Sequence, residues 1–174
     1  MSNYPDWVVD RLIEPELLAL ERSTLVMTWN IGRGVPEVEP SPAEFDGFYG
    51  RPLDWEIAQM RRAAILLENV TGVKLLEPTR RDAGFSFHVF DSGTHLGWAH
   101  STFAPVETKA LSMQRANDDF TRGQWFQVLL HELGHLAGLK HPFEDPRVPP
   151  RFDDNRHTLM TYNDVTDKYS AKYR

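Results

Sequence analysis

The sequence has 174 residues, a length that suits one domain built around a single hydrophobic core. Its formal net charge is −6 at pH 7 and no stretch is dense in basic residues, which argues against nucleic acid as the main partner. The chain contains no cysteine, so disulfides, cysteine-ligated zinc sites and cysteine nucleophiles are excluded.

The first third of the chain predicts a helix, a strand and a long loop. Apolar side chains recur at helical spacing over residues 5–22, which indicates a short amphipathic helix. Residues 24–32, TLVMTWNIG, alternate and are rich in β-branched and aromatic residues, as strands are. Residues 33–53 hold four prolines and several glycines, which favours a surface loop.

The middle of the chain predicts a second helix and then three strands. Asp54 is the expected N-cap of this helix, and Gly72 stands where a left-handed stop is expected. Strands are predicted over residues 72–77, 84–90 and 110–117. The apolar face of the helix consists of Ile57, Met60, Ala64 and Leu67.

A third helix is predicted over residues 124–139, and the 35 residues after it are rich in loop signals, ending in a short helix. The sequence contains no run of about 18 apolar residues, which is the length needed to cross a membrane. Strands mixed with two long helices predict an α+β domain. The inward face of the third helix consists of Trp125, Val128, Leu129, Leu133 and Leu136.

The segment HELGHLAGLKH, residues 131–141, carries the predicted chemistry. His131 and His135 are four residues apart, so on a helix their imidazoles project from one face. Two imidazoles at that spacing can reach one tetrahedral zinc ion at about 2.0–2.1 Å. Glu132 can lean over the metal without binding it and take a proton from a zinc-activated water. This is the general-base arrangement of a metallopeptidase.

Gly138 explains how a third histidine could reach the same ion. His141 cannot return to the metal if the helix simply continues, whereas a glycine with positive φ can end the helix and turn the chain. His141 then completes the protein ligands, and water keeps the fourth position that catalytic zinc requires. The alternative is a helix with solvated histidines and an ordinary glycine end, which leaves Glu132 and His141 unexplained.

The motif HExxHxxGxxH, followed downstream by the methionine of HTLMTYND, resembles the metzincin zinc metallopeptidases. Within that group, LLHELGHLAGLKHP and the sequence Leu-Met-Thr-Tyr look most like the serralysin catalytic domain. The order of helices, strands and loops can be followed from about residue 24 to 165. The resemblance implies a metzincin-like catalytic domain with a twisted mixed sheet, two long helices and a loop-rich C-terminal subdomain.

The resemblance also implies a role for each residue of the site. The three histidines of the motif would bind one catalytic zinc ion, with Glu132 as the general base. Met160 would form the hydrophobic floor beneath the metal. Tyr162 would correspond to the tyrosine that serralysins and astacins place near zinc as a displaceable fifth ligand. Its hydroxyl could then donate a hydrogen bond to the oxyanion of the tetrahedral intermediate.

Two family features are not predicted for this chain. Serralysins carry a C-terminal calcium-binding β-roll that also serves export, and no such segment follows here, so calcium is not expected. Matrix metallopeptidases use a cysteine switch and a second, structural zinc. GWAHSTFAP is similar to the strand that carries one structural-zinc ligand, at His100, but Met113 stands where another would be needed. His88, His95 and His100 are therefore expected to be structural or solvated.

Other polar residues receive lesser predictions. The pairs Asp118–Asp119 and Asp153–Asp154 lack the spacing of a calcium loop, so we expect solvated turn acids. His157 is expected at the surface. In related folds an edge strand above the cleft pairs with an extended peptide, and residues 96–102 are the candidate for that strand.

Three functions fit the motif. The favoured one is a monomeric zinc metalloendopeptidase that hydrolyses peptides or proteins. The first alternative is a zinc-containing binding or inhibitory module without useful proteolysis, although such a module needs neither Glu132 nor Tyr162. The second alternative is a zinc hydrolase that acts on a non-protein amide, since water activation is the same chemistry.

The expected organisation is one catalytic domain over residues 1–174. It would comprise an N-terminal helix to residue 22, the sheet and active-site helix over 23–141, and a Met-turn subdomain over 142–174. The resemblance suggests secretion, but the first residues show acids and a proline where a signal peptide has a basic region. With no C-terminal export domain visible either, the sequence leaves the cellular location open.

Overall fold

The computed structural model describes residues 11–13, 26–32, 49–77, 84–91, 96–99 and 110–163. Most of the predicted helix over 5–22, most of the predicted loop over 33–53 and the predicted C-terminal helix lie outside these residues, as do His95 and His100. The described residues group into two compact units, one from residues 26–137 and one from residues 11–13 with 138–163. The domain organisation expected from the sequence stays a prediction.

The larger unit contains a six-stranded mixed sheet in the order β3-β1-β4-β6-β5, with β2 paired to β4. Strand β1 pairs in parallel with β3 and β4, and β4 pairs in parallel with β6. The pairs β2–β4 and β5–β6 are antiparallel, and β5 ends the strand order of the described sheet. The strands are β1 Val26–Ile31, β2 Tyr49–Gly50, β3 Lys74–Leu76, β4 Phe85–Phe90, β5 Gly97–Ala99 and β6 Ala110–Gln114.

The strands predicted from alternation are confirmed, and one predicted loop is corrected. Strands β1, β3, β4 and β6 lie within the segments that the sequence indicated. Strand β2 interrupts the predicted loop over 33–53, because Tyr49 pairs with Phe90 and its ring packs 5.7 Å from that ring. The nearby prolines and glycines are typical of loops, so the sequence pattern does not indicate this short strand.

Helix α1 spans Asp54–Thr71, and its first residue corrects the predicted N-cap. Leu53 is the capping residue, with an extended backbone at φ −74° and ψ 158°. The Glu56 carboxylate accepts the hydrogen bond from the Leu53 N–H at 2.6 Å, so it satisfies an N-terminal donor from inside the helix. Gly72 ends α1 with φ 77°, as predicted.

Helix α2 spans Arg122–Leu136, so it begins two residues before the predicted start and ends three before the predicted end. Thr121 and Gln124 form a capping box, in which the Thr121 N–H donates to Gln124 Oε1 at 2.9 Å. This reciprocal cap explains the earlier start. No helix of the described residues is long and apolar enough to cross a membrane.

The core of the larger unit combines side chains from both helices and from the sheet. In the β4–β6 register, Phe87 lies opposite Leu111 and Val89 lies opposite Met113, and all four are fully buried. The Trp125 ring contacts Phe87 edge to face, and its indole N–H donates to the Gln114 carbonyl at 2.8 Å. The α+β class with a mixed sheet and two long helices is therefore confirmed.

The smaller unit is mainly loop, as the sequence predicted. Ile13 and Leu139 form an antiparallel bridge, and the Lys140 N–H donates to the Leu12 carbonyl at 3.0 Å. A short 3-10 helix spans Pro150–Phe152. The buried side chains among the described residues of this unit include Ile13, Lys140, Val148, Asp154 and Met160.

Candidate metal centre

The last turns of α2 carry His131 and His135. Their rings lie 4.9 Å apart between centroids and are inclined at 83°, which is the arrangement expected for positions i and i+4 on one helix face. His131 is buried and His135 is half-buried. The buried side chains Leu129, Leu133 and Leu136 anchor the same turns in the core and fix the direction of the histidines.

The backbone leaves the helix at Gly138. The Ala137 N–H still donates to the Leu133 carbonyl at 2.9 Å, and Gly138 then takes φ 81°. Side-chain-bearing residues rarely adopt that left-handed geometry, so glycine is needed here. The turn that the sequence predicted at this residue carries the chain on to His141.

Three imidazoles meet within this continuous segment of eleven residues. One ligand nitrogen from each of His131, His135 and His141 lies within 4.8 Å of the other two. Four-coordinate zinc at about 2.0–2.1 Å separates its ligand atoms by about 3.4 Å, so small ring rotations suffice. Three neutral imidazoles with an open fourth position are the donor set of a catalytic zinc. The residues therefore fit one zinc ion, and no second such group occurs among the described residues.

Glu132 lies beside this group in a buried position. Its side chain belongs to a residue with 8% exposure, and burial raises the pKa of the carboxyl to about 8. A divalent cation close by would favour the ionised form and lower that pKa. The backbone of β5 presses on this side chain, since a Cβ added to Gly97 would lie 2.9 Å from Glu132 Cγ.

His141 is bordered by two aromatic rings. Phe143 stacks on it at 4.8 Å with an angle of 11° between the ring planes. The Tyr162 ring also lies 4.8 Å from His141, inclined at 47°, and Tyr162 is 70% exposed. Tyr162 therefore adjoins the third histidine and has most of its side chain exposed to solvent.

His141 also contacts a carboxylate that the sequence did not single out. Glu144 Oε1 lies 2.9 Å from His141 Nδ1, and Glu144 Oε2 accepts from the His141 backbone N–H at 3.1 Å. The spacing of three residues across a turn was the available signal. Carboxylates are too common in turns for that spacing alone to predict a contact.

Met160 is almost fully buried at 1% exposure. Its N–H donates to Thr158 Oγ1 at 3.1 Å, and the next residue, Thr161, donates from its hydroxyl to Asp153. The Asn155 N–H donates to the Asn163 carbonyl at 3.0 Å, which joins the two ends of the segment from residue 155 to residue 163. Side-chain and backbone hydrogen bonds thus fix the turn that contains the methionine.

Asp154 corrects the prediction of a solvated turn acid. It is buried, and it accepts hydrogen bonds from Arg156 Nη2 at 2.8 Å and His157 Nδ1 at 2.7 Å. The hydrogen bond from Arg156 and the one from His157 hold the pKa of this carboxyl well below its usual range. Asp118 and Asp119 are exposed, as expected. His157 is half-buried through this contact, so the expected surface position is only partly correct.

His88 is structural, as predicted. It is 4% exposed on β4, and its Nε2 lies 2.7 Å from Ser86 Oγ. The ring also packs against the backbone of Gly32, where an added Cβ would lie 2.2 Å from it. His88 therefore belongs to the interior of the larger unit and not to the histidine group.

No protein-family model and no curated protein sequence matches the chain. Among solved structures, myroilysin matches with a TM-score of 0.51 and 10% identity, over 76% of this chain and 55% of that one. A hatching-enzyme zinc-protease of the medaka fish Oryzias latipes, high choriolytic enzyme 1, matches with a TM-score of 0.40 and 12% identity, over 90% and 57%.

The similarity to myroilysin bears on the fold. The chain spans little more than half the length of either solved structure. At 10% identity, the match to myroilysin establishes a shared arrangement of helices and strands. The protein therefore has the mixed α/β fold, with a mixed sheet and two helices, that the metzincin resemblance implied.

Proposed function

We propose that the protein is a zinc-dependent metalloendopeptidase. The observation that carries this proposal is the meeting of three imidazole nitrogens within 4.8 Å of one another. A buried carboxylate on the same helix, Glu132, supports it further. The proposal assigns His131, His135 and His141 as ligands of one zinc ion, and a peptide or protein as the substrate.

The metal and Glu132 would have different roles in hydrolysis. When bound, zinc would supply Lewis-acid polarisation of the scissile carbonyl and activation of water. Glu132 would accept the proton from that water and pass it to the leaving amine as the bond breaks. Its burial supports this role, because a buried carboxyl binds protons more readily than an exposed one.

The serralysin-like part of the proposal concerns Tyr162 and Met160. The Tyr162 hydroxyl would donate a hydrogen bond to the oxyanion that develops on the scissile carbonyl. The exposure of Tyr162 beside His141 supports a role in contact with substrate. Met160 would form the apolar floor of the metal site, and its burial is compatible with that role.

Strand β5 is the proposed docking edge for an extended peptide. The Gln114 N–H donates to the Leu96 carbonyl at 2.9 Å, so Leu96 and Gln114 are a hydrogen-bonded pair of the antiparallel ladder between β5 and β6. Hydrogen-bonded and non-hydrogen-bonded pairs alternate along such a ladder. The backbone groups of Gly97 and Ala99 therefore point away from β6, where a peptide could pair with them. The contact of Gly97 with Glu132 would bring that peptide close to the general base.

Cleavage of peptides tests this proposal against its two alternatives. The zinc-loaded protein and its Glu132→Ala variant are incubated with a diverse peptide library, and the products are identified by mass spectrometry. An endopeptidase yields internal cleavages that are lost in the variant. If the zinc-loaded wild type leaves every peptide intact, the endopeptidase proposal fails. A binding module or a hydrolase of non-protein amides would then take its place.

A further inference from the structure

We propose that Glu144 is a positioning residue that orients His141 for metal binding. This inference rests on the proposed function, since it concerns the third ligand of the same zinc site. The carboxylate contacts His141 twice, at the ring Nδ1 at 2.9 Å and at the backbone N–H at 3.1 Å. One side chain thus fixes both the ring and the backbone of the ligand residue.

The chemistry of this contact selects one form of the imidazole. An ionised carboxylate only accepts hydrogen bonds, so the ring nitrogen facing Glu144 must carry the proton. Proton-bearing Nδ1 leaves Nε2 as the nitrogen for the metal. A carboxylate that accepts from a ligand histidine also makes that histidine a stronger ligand.

The ring is constrained in a second direction by Phe143. The two planes differ by only 11° at a centroid distance of 4.8 Å, so Phe143 covers one face of the imidazole. Glu144 holds the ring within its plane, whereas Phe143 limits tilting out of that plane. Together these two neighbours reduce the rotational freedom that His141 would lose on binding a metal.

Lys140 in turn fixes the turn that presents Glu144. Its side chain is buried, and its ammonium donates to the carbonyls of Asp145 at 2.6 Å and Glu144 at 3.4 Å. The Glu144 N–H donates to the His141 carbonyl at 3.1 Å, which closes the turn from the other side. Hydrogen bonds from both sides therefore fix the backbone turn that presents the carboxylate, as in a preorganised site.

Zinc affinity measures this role directly. Loss of a carboxylate behind a ligand histidine commonly weakens metal binding by about 10–100-fold. We expect Glu144→Ala to show a loss of that size in a competition titration against a chelator. Glu144→Gln keeps an oxygen that can accept from Nδ1 and should recover most of the affinity. Asp145→Asn removes the same charge from the neighbouring, 90% exposed side chain and should bind zinc as the wild type does.

The protonated nitrogen of His141 provides a readout that needs no metal. In the metal-free, ¹⁵N-histidine-labelled protein, NMR of the neutral imidazole should show that His141 carries its proton on Nδ1, and Glu144→Ala should lose that preference. Unchanged protonation together with zinc affinity within twofold of the wild type would overturn the proposal for Glu144. If the wild type binds no zinc, the proposed function fails, whereas the NMR result still decides whether Glu144 orients the ring.

Discussion

The contact between β5 and Glu132 leads to a quantitative prediction for Gly97→Ala. A Cβ at this position would lie 2.8 Å from Val128 Cγ1, 2.9 Å from Glu132 Cγ and 3.0 Å from Met113 Sδ. Carbon atoms pack best at about 3.5–4.0 Å, so these neighbours must retreat by roughly 0.5–1 Å. The neighbours lie on α2 and β6 inside the packed unit, which leaves them little room to move.

The expected cost follows from overpacking. Inserting a methyl group into a packed core commonly destabilises a protein by about 1–3 kcal/mol. Gly123 supplies the matched control, because a Cβ added there meets no atom within 4 Å. Both variants replace glycine by alanine, so both reduce the backbone entropy of the unfolded chain. Their difference therefore isolates the clash, at about 1–3 kcal/mol, or roughly 2–12 °C in melting temperature for a chain of this size.

The two variants are compared by thermal unfolding and by peptide cleavage. We expect Gly97→Ala to melt below Gly123→Ala and to lose at least about tenfold in kcat/KM, because small displacements of a catalytic group can cost about 10²-fold. Gly123→Ala should cleave at the wild-type rate. Equal melting temperatures and equal cleavage rates for the two variants would refute the close approach of β5 to Glu132.

Three further predictions concern single side chains. Glu132→Ala should retain zinc but lose about 10²–10⁴ in cleavage rate, and a variant that cleaves at the wild-type rate excludes Glu132 as the base. Tyr162→Phe should lower kcat by about 10²–10³ with KM nearly unchanged, whereas kinetics within twofold of wild type contradict the oxyanion role. Asp154→Asn should destabilise the protein near neutral pH, measured by urea unfolding. Because the pKa of Asp154 is lowered on folding, this difference should shrink as pH falls below about 4, and a constant difference would contradict the charge-based contribution.

Local sequence rules account for much of the fold. Strand-like residue patterns identified β1, β3, β4 and β6, and Gly72 and Gly138 were predicted as left-handed helix ends from residue type and position alone. The caps were harder to predict. Leu53 lacks a capping side chain, and Glu56 supplies the acceptor from within the helix instead. Because the usual N-cap is a polar residue at the start of the helix, the sequence indicated Asp54 instead of Leu53.

The histidine group was predictable because its spacing follows helix geometry. Several contacts around the group and elsewhere were not predictable, because residue spacing alone does not specify them. Gly97 reads as an ordinary strand glycine until its distance to Glu132 is known. Asp154 reads as a surface acid, whereas it is buried and accepts hydrogen bonds from Arg156 and His157. Glu144 lies three residues after His141, but that spacing alone did not identify it as a hydrogen-bond partner of the histidine.

Titration of the metal-free protein with zinc, with peptide cleavage as the signal, tests the central claim most directly. The three-histidine site predicts that activity rises with added zinc and stops rising at one equivalent per chain. His135→Ala should bind zinc far more weakly and stay inactive over the same range, and His157→Gln, outside the group, should follow the wild type. Cleavage that is independent of zinc, or that is equal in wild type and His135→Ala, would contradict the account.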